Sequence, residues 1–304
     1  MFLVIPTGVD YRTDRMPMVT FALMALNTLV YIVTFLISLG VPGPEGISPG
    51  ELWVYENLWL IPALGKVHTY LTCVFVHGGL FHLLGNMVYL FLFGSCVEDA
   101  LGRWQYVVFY LLGAMGANLC YIMFVTGHFA SEIPMGGASG AISACMGGFA
   151  CHYLKTRINF RYLILFFFRL FTGDFWLPAW LVMSFYFIKD LVFGILDMMG
   201  ESTGGGVAFG AHVGGFVSGL VMMLLWRAFI HKPEDDEEKH GFSPAMAATL
   251  PQGDIYVWEN DRQLGPYHQD TLQEMIRLKV LNKHALYWVE GMDDWRPVVE
   301  LKQK

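Results

Sequence analysis

The chain has 304 residues, 55% apolar and only 15% charged, with a mean hydropathy of +0.46. Soluble domains carry roughly 25% charged residues, so the composition excludes a wholly soluble globule and places most of the chain in lipid. The formal charge of −7 owes much to one run, Glu234-Asp235-Asp236-Glu237-Glu238, and no basic stripe points to nucleic acid.

The opening MFLVIPTGVDYRTDRMP lacks the basic start of a signal peptide, and the apolar run after it has no clean cleavage site. That run, Pro17 to about Leu39, reads as a retained first membrane span. A spanning helix needs roughly 20 mostly apolar residues. On that basis five more spans are expected: Leu80 to Cys96, Trp104 to Val125, Gly137 to Tyr153, Trp176 to Leu196 and Val207 to Ile230. The fourth is rich in Gly, Ala and Ser. Tyr162 to Leu170 is too short to span and is bracketed by Arg161 and Arg169, so it is expected to lie at the interface or to extend the fourth helix.

Lys and Arg in short loops set orientation. One side holds Arg12, Arg15, Arg103, Lys155, Arg157, Arg161, Arg169, Arg227 and Lys232, and the opposite loops offer only Lys66. Both termini are therefore expected in the cytoplasm, as in a multi-pass protein of the cell membrane. The five cysteines have no CxxC spacing and read as small buried apolar residues. No 20–50-residue repeat and no clear two-fold duplication of the spans is visible, which argues against an inverted-repeat transporter.

Residues 232–250 are acidic and then small and polar, as expected of a flexible linker between a membrane domain at 1–231 and a small soluble α+β domain at 251–304. In that tail Ile255–Trp258 and Leu286–Val289 read as strands, and Gln263–Tyr267 contains a turn. Asp270 reads as the cap of a helix reaching about Leu278.

Polar groups inside spans are costly, so each is a functional candidate. Gly137-Ala138-Ser139-Gly140 opens the fourth span. Taken alone, Ser139 reads as a helix cap or a packing residue as easily as a nucleophile. Glycines at 137 and 140 would let a backbone come close to its hydroxyl. The unpaired N–H groups of a helix start can also stabilise negative charge. His212 lies in Ala211-His212-Val213-Gly214-Gly215, within pairs of small residues four apart (Gly210/Gly214 and Gly215/Gly219). Such spacing permits close helix packing, and the fourth span offers matching small residues at Gly140, Ala144, Gly147 and Gly148. His212 could then serve as base for Ser139, or simply bond a neighbouring helix.

His82 and Asn86 are one turn apart and share a helix face. They read either as donors to an oxyanion or as a polar interhelical clamp. His77 lies in the preceding loop, in a structural role. Neither His77 nor His82 belongs to an HExxH pattern and no carboxylate adjoins them, so no metal is expected. Lys189 and Asp190 in the fifth span read as a structural or interfacial pair.

Residues 1–232 resemble a bacterial-type rhomboid protease. The resemblance rests on HGGxxHLxGNM from His77 to Met87, Glu98, GxSG at 137–140 and AHxGG at 211–215, in that order. It implies an all-α, polytopic, six-helix rhomboid-like bundle and an intramembrane serine endopeptidase. In it a Ser139–His212 dyad would cleave transmembrane segments near their non-cytoplasmic end, with His82, Asn86 and the Ser139 N–H as oxyanion site. No cofactor is implied. The partners implied are single-span or polytopic membrane substrates and the bilayer itself. The sequence shows no acid beside His212, in keeping with a dyad, and it has Ser143 where some rhomboids carry an aromatic residue. A pseudoprotease that binds membrane helices and a membrane scaffold acting through its tail are the competing classes; retention of both Ser139 and His212 argues against the first.

Residues 254–301 resemble a GYF-like domain through Tyr256, Gly265-Pro266-Tyr267, the helix after it, Trp288, Gly291-Met292 and Trp295, although the Gly-Tyr-Phe triplet itself is lacking. The resemblance implies an aromatic groove for a proline-rich peptide, with Trp258, Tyr267, Trp288 and Trp295 as candidate peptide-binding residues. The same aromatics could instead form the small core of the domain.

Overall fold

The computed structural model describes residues 2–11, 13–43, 46–125, 132–167, 169–199, 208–229, 254–259, 262–277, 280–281 and 285–298. The chain divides into two compact units, Met1–Leu225 and Trp226–Lys304. The expected linker at 232–250 lies outside the described residues, as does the end of the tail helix near Leu278.

Among the described residues, five helical segments are long and apolar enough to cross a membrane: Met18–Ser38, Leu80–Leu101, Arg103–Val125, Ala179–Leu196 and Phe209–Phe229. These lie in α1 (Met18–Ser38), α4 and α5 (Leu80–Tyr89 and Ser95–Leu101, joined by one π-turn, Leu90–Gly94), α6 (Arg103–Val125), α8 (Ala179–Met198) and α9 (Phe209–Phe229). The fourth expected span is α7, Ser139–Tyr153, and it is only 15 residues long. At 1.5 Å per residue it covers roughly 22 Å, short of a ~30 Å hydrocarbon core. Every residue from Gly140 to Ala150 is buried, so α7 meets protein on all sides. That explains its composition, because small side chains are what a helix enclosed by neighbours can carry.

Between α1 and α4 the chain forms α2 (Pro49–Leu58), a 3-10 turn (Pro62–Leu64) and α3 (Thr69–Thr72). The start of α2 follows local rules: Ser48 Oγ accepts the Glu51 N–H at 3.0 Å, and Pro49 stands where no amide donor is needed.

Tyr162–Leu170 does not extend the fourth helix. It belongs to a hairpin of β2 (Arg157–Phe166) and β3 (Arg169–Pro178), and β1 (Phe2–Val9) completes a three-stranded antiparallel sheet of order β1-β2-β3. Ile158 and Phe160 on β2 are buried while Arg157 and Arg161 are exposed, a two-residue period that the continuous apolar run beyond them hides. Pro6 is tolerated because β1 is an edge strand with a bulge at Pro6/Gly8. The sheet continues from the C-terminal end of α7 and leads into the N-terminal end of α8, so it lies at the end of the bundle away from Ser139.

That end is tied together by carboxylates at the close of α5. Pro17 gives α1 no side-chain cap. Glu98 supplies one: Oε1 accepts the Val19 N–H at 2.9 Å, and Oε2 accepts the Thr20 N–H and Oγ1–H, both at 2.8 Å. A buried carboxylate at a helix start satisfies orphan donors and sits favourably on the helix dipole. Asp99 beside it accepts the Tyr11 hydroxyl at 2.8 Å and the Arg15 N–H at 3.0 Å.

Beyond the end of α9, the described residues of the C-terminal unit form a four-stranded sheet of order β5-β4-β6-β7 and a helix: β4 Ile255–Glu259, β5 Arg262–Tyr267, α10 Gln269–Arg277, β6 Leu286–Val289 and β7 Arg296–Pro297. Gln263–Tyr267, expected to hold a turn, is strand β5 paired with β4. Asp270 is a first-turn residue inside α10 and not its cap. Ile255, Val257, Leu272, Ile276, Tyr287 and Val289 lie in the core.

Replacing Glu98 with Ala is expected to leave the first turn of α1 without its acceptors and to destabilise the folded protein by about 2–4 kcal/mol. The loss reads as a lowered unfolding midpoint in detergent, and Glu98→Gln, which keeps one acceptor, should lose less.

Candidate active site

His82 and Asn86 project from one face of α4. His77 precedes the helix and is buried, at 6% exposure. Its Nε2 lies 2.9 Å from Asn86 Nδ2, and its Nδ1 lies 3.3 Å from the Phe75 carbonyl oxygen. A carbonyl can only accept and an amide NH2 can only donate, so His77 carries its proton on Nδ1 and accepts from Asn86 on Nε2. One amide proton of Asn86 is thereby anchored. The His77 and His82 rings meet edge to face at 5.2 Å.

The segment before α7 is pinned to the same side of the bundle. Met135 and Leu60 exchange two backbone hydrogen bonds at 2.9 Å, and the Gly137 N–H donates to the Cys73 carbonyl at 2.8 Å. Gly137 has φ +124°, a backbone conformation that favours glycine, and a Cβ there would come within 2.9 Å of the His82 ring. Ser139 is the first residue of α7, so its hydroxyl stands among N–H groups that have no intrahelical partner.

Helix α9 packs directly on α7. A Cβ on Gly215 would collide with the Gly140 carbonyl oxygen, and one on Gly219 with the Ala144 carbonyl oxygen. Gly147 of α7 meets the Phe216 carbonyl oxygen in the same way. Gly214 faces the other way, toward Cys120 of α6, and Gly140 faces Ala117 of α6. This contact brings His212 Nε2 to 3.0 Å from Ser139 Oγ. The Phe209 ring stands edge-on to the imidazole at 6.3 Å. Ser143 is buried one turn after Ser139, next to Gly215.

An acid is present on the far side of His212, contrary to the sequence reading. Asp190 on α8 is buried, at 8% exposure, and its Oδ2 lies 3.3 Å from His212 Nδ1. Its other oxygen, Oδ1, lies 2.8 Å from Lys189 Nζ. No local signal reveals this: Asp190 is 22 residues before His212 and on another helix, with an adjacent lysine that suggests simple pairing.

His82, Asn86, Gly137, Ser139, Gly140 and His212 all line one cavity of about 690 Å³. Its polar groups comprise a hydroxyl, an imidazole within hydrogen-bond reach of it and side-chain N–H donors, a set chemically capable of acyl transfer. Among the described residues, no group of three or more His, Cys, Asp or Glu is arranged to hold a metal ion.

In the C-terminal unit, strand alternation sends Tyr256 and Trp258 to the face opposite Ile255 and Val257. Tyr256 pairs with Trp288 across the strands, with ring centroids 6.0 Å apart. Trp295 bridges Trp258 at 6.0 Å and Trp288 at 6.4 Å. These aromatics do not form the core, and Trp258 is 40% exposed. Tyr267 packs against the core instead of joining them.

Burial, and secondly the neighbouring His82, pushes the His77 imidazole down from 6.5 to about 4. Between those values the unfolded chain binds a proton that the folded protein refuses, so this group costs stability as pH falls from 6.5 toward 4. Above pH 6.5 both states are neutral and the cost vanishes. The stability lost between pH 7 and pH 5 is therefore expected to be smaller in His77→Gln than in the wild type, by about 1–2 kcal/mol. Denaturant unfolding at each pH measures the difference.

Residues 64–229 match the profile of the Rhomboid domain, and residues 256–303 match that of GYF domain 2. Curated relatives include RHOMBOID-like protein 1 of Arabidopsis thaliana, 26% identical over 54% of this chain and 34% of its own length. RHOMBOID-like protein 12, mitochondrial, of the same plant is 30% identical over 27% of this chain and 28% of its own. Rhomboid protease GlpG of Salmonella newport (strain SL254) is 27% identical over 70% of this chain and 64% of its own. Each match spans less than two thirds of the relative. With a Rhomboid-domain match across more than half of its length and several membrane-crossing helices, this multi-pass membrane protein belongs to the rhomboid family.

Proposed function

We propose that the chain is an intramembrane serine endopeptidase, with Ser139 as nucleophile and His212 as its base. The observation that carries this reading is the 3.0 Å approach of His212 Nε2 to Ser139 Oγ inside a cavity. In the proposed reaction Nε2 takes the hydroxyl proton as Oγ attacks a peptide carbonyl carbon. The carbonyl oxygen becomes an oxyanion, held by the free amide proton of Asn86, by His82 and by the Ser139 backbone N–H. On collapse the imidazolium gives its proton to the leaving amine. Water then repeats the sequence on the acyl-enzyme, with His212 again the base, and frees Ser139.

Membrane segments are the proposed substrates. The end of the bundle with the three-stranded sheet carries Arg15, Arg103, Lys155, Arg157, Arg161 and Arg169, which favours placing it in the cytoplasm. Both termini would then be cytoplasmic, the membrane would be the cell membrane, and Ser139 would lie toward the non-cytoplasmic end. A substrate helix must unwind before its carbonyl can reach Ser139, since helical backbone groups are already paired. Substrates with small or helix-breaking residues near their outer boundary should therefore be cut preferentially.

We further propose three parts: a membrane domain at 1–231, a flexible linker at 232–250 and a cytoplasmic domain at 251–304. The surface of Tyr256, Trp258, Trp288 and Trp295 is the proposed site for a proline-rich peptide, because flat aromatic faces suit a polyproline II helix.

Purified protein in detergent or liposomes should cleave a model single-span substrate, and Ser139→Ala should abolish cleavage. Equal behaviour of the two, with the substrate left uncut by both, would favour a non-proteolytic helix-binding role. Asn86→Ala should lower kcat by about 10²–10³-fold, the usual loss for one oxyanion donor.

A further inference from the structure

Asp190 is a carboxylate buried in a membrane-spanning helix, a placement that is costly without partners. Its two oxygens have distinct ones: Lys189 Nζ at 2.8 Å on Oδ1 and His212 Nδ1 at 3.3 Å on Oδ2. A lysine next in sequence would be enough to neutralise the charge. It does not account for the second oxygen being turned to the imidazole. Asp190 does not line the cavity, so it is not placed to touch a substrate.

We propose that Asp190 is a positioning residue that fixes the tautomer and orientation of His212. This rests on the proposed roles of Ser139 and His212. An ionised carboxylate only accepts hydrogen bonds, so facing Asp190 the imidazole keeps its proton on Nδ1. Nε2 then carries the lone pair, and that atom is the one 3.0 Å from Ser139 Oγ. The opposite tautomer would aim an N–H at the hydroxyl and could not take its proton. When the Ser139 proton moves to Nε2, the imidazolium finds a negative charge already in place on its other side. The proton stays on His212 until the leaving amine takes it, and Asp190 remains ionised throughout. The site is thus a Ser139–His212 pair held in register by Asp190 and assembled from three helices, α7, α9 and α8.

The test compares wild type, Ser139→Ala, Asp190→Asn, Asp190→Glu and the double variant Lys189→Met/Asp190→Asn on a single-span substrate. Thermal melting in detergent identifies the variants that remain folded. Asn at 190 can present an N–H to Nδ1 and so permits the wrong tautomer. Asp190→Asn is expected to lower kcat by about 10²-fold, with KM unchanged because no cavity contact is lost. The double variant removes both charges, leaves no unpaired lysine, and should show the same fall. Asp190→Glu restores a carboxylate and should exceed Asp190→Asn in kcat. Wild-type kcat in a folded Asn variant, or equal kcat for the Glu and Asn variants, overturns the proposal. A change confined to KM does the same. If Ser139→Ala itself retains cleavage, the underlying protease reading fails; if only that variant is inactive, the fault lies with Asp190 alone.

Discussion

Two helices can bring their backbones together only where small residues, above all glycine, face the seam, and in this chain that constraint brings Ser139 and His212 together. Gly215 and Gly219 of α9 face carbonyl oxygens of α7, and Gly147 of α7 faces a carbonyl oxygen of α9. Ordinary helix pairs stand 8–10 Å apart. Here the absent side chains allow a closer seam, and the Ser139–His212 distance of 3.0 Å follows from it. The same constraint explains why α7 is short and wholly buried. A helix of small residues has little apolar area to offer lipid, and so it fits where neighbouring helices replace lipid on every side.

Two buried acids in the membrane unit illustrate how an expensive group is tolerated. Glu98 faces the start of α1 and meets two backbone N–H groups and a hydroxyl, so its surroundings are fixed donors. Asp190 faces a lysine ammonium and the imidazole that the proposed reaction uses as its base. The first arrangement suits a static joint between helices. The second suits a group whose neighbour gains and loses a proton, which is why Asp190 and not Glu98 is read as part of the proposed chemistry.

Much of the architecture was legible in the chain itself. Each expected span corresponds to a helix, because lipid demands long apolar runs and leaves few alternatives for the backbone. Strands at Ile255 and Leu286 were also legible, from short β-prone runs. The sheet of β1, β2 and β3 was not. Its first strand lies more than 140 residues before the hairpin of β2 and β3, with Phe2 opposite Ile164, and an apolar run beside a bilayer reads as interfacial or helical. Tyr267 illustrates a smaller failure. Its type suggested an aromatic surface, but strand register turns it toward the core and gives that place to Tyr256.

Sequence alone nominated Ser139, His212, His82 and Asn86 as candidates, because polar groups in apolar spans are costly, and the family resemblance supplied the roles proposed for them. The sequence also determined that α7 and α9 could approach, through the spacing of their glycines. Only the tertiary structure decided what lies beyond the imidazole. Asp190 reaches His212 because α8 packs beside α9 at one particular rotation. That rotation arises from the packing of many side chains at once, and no short motif records it.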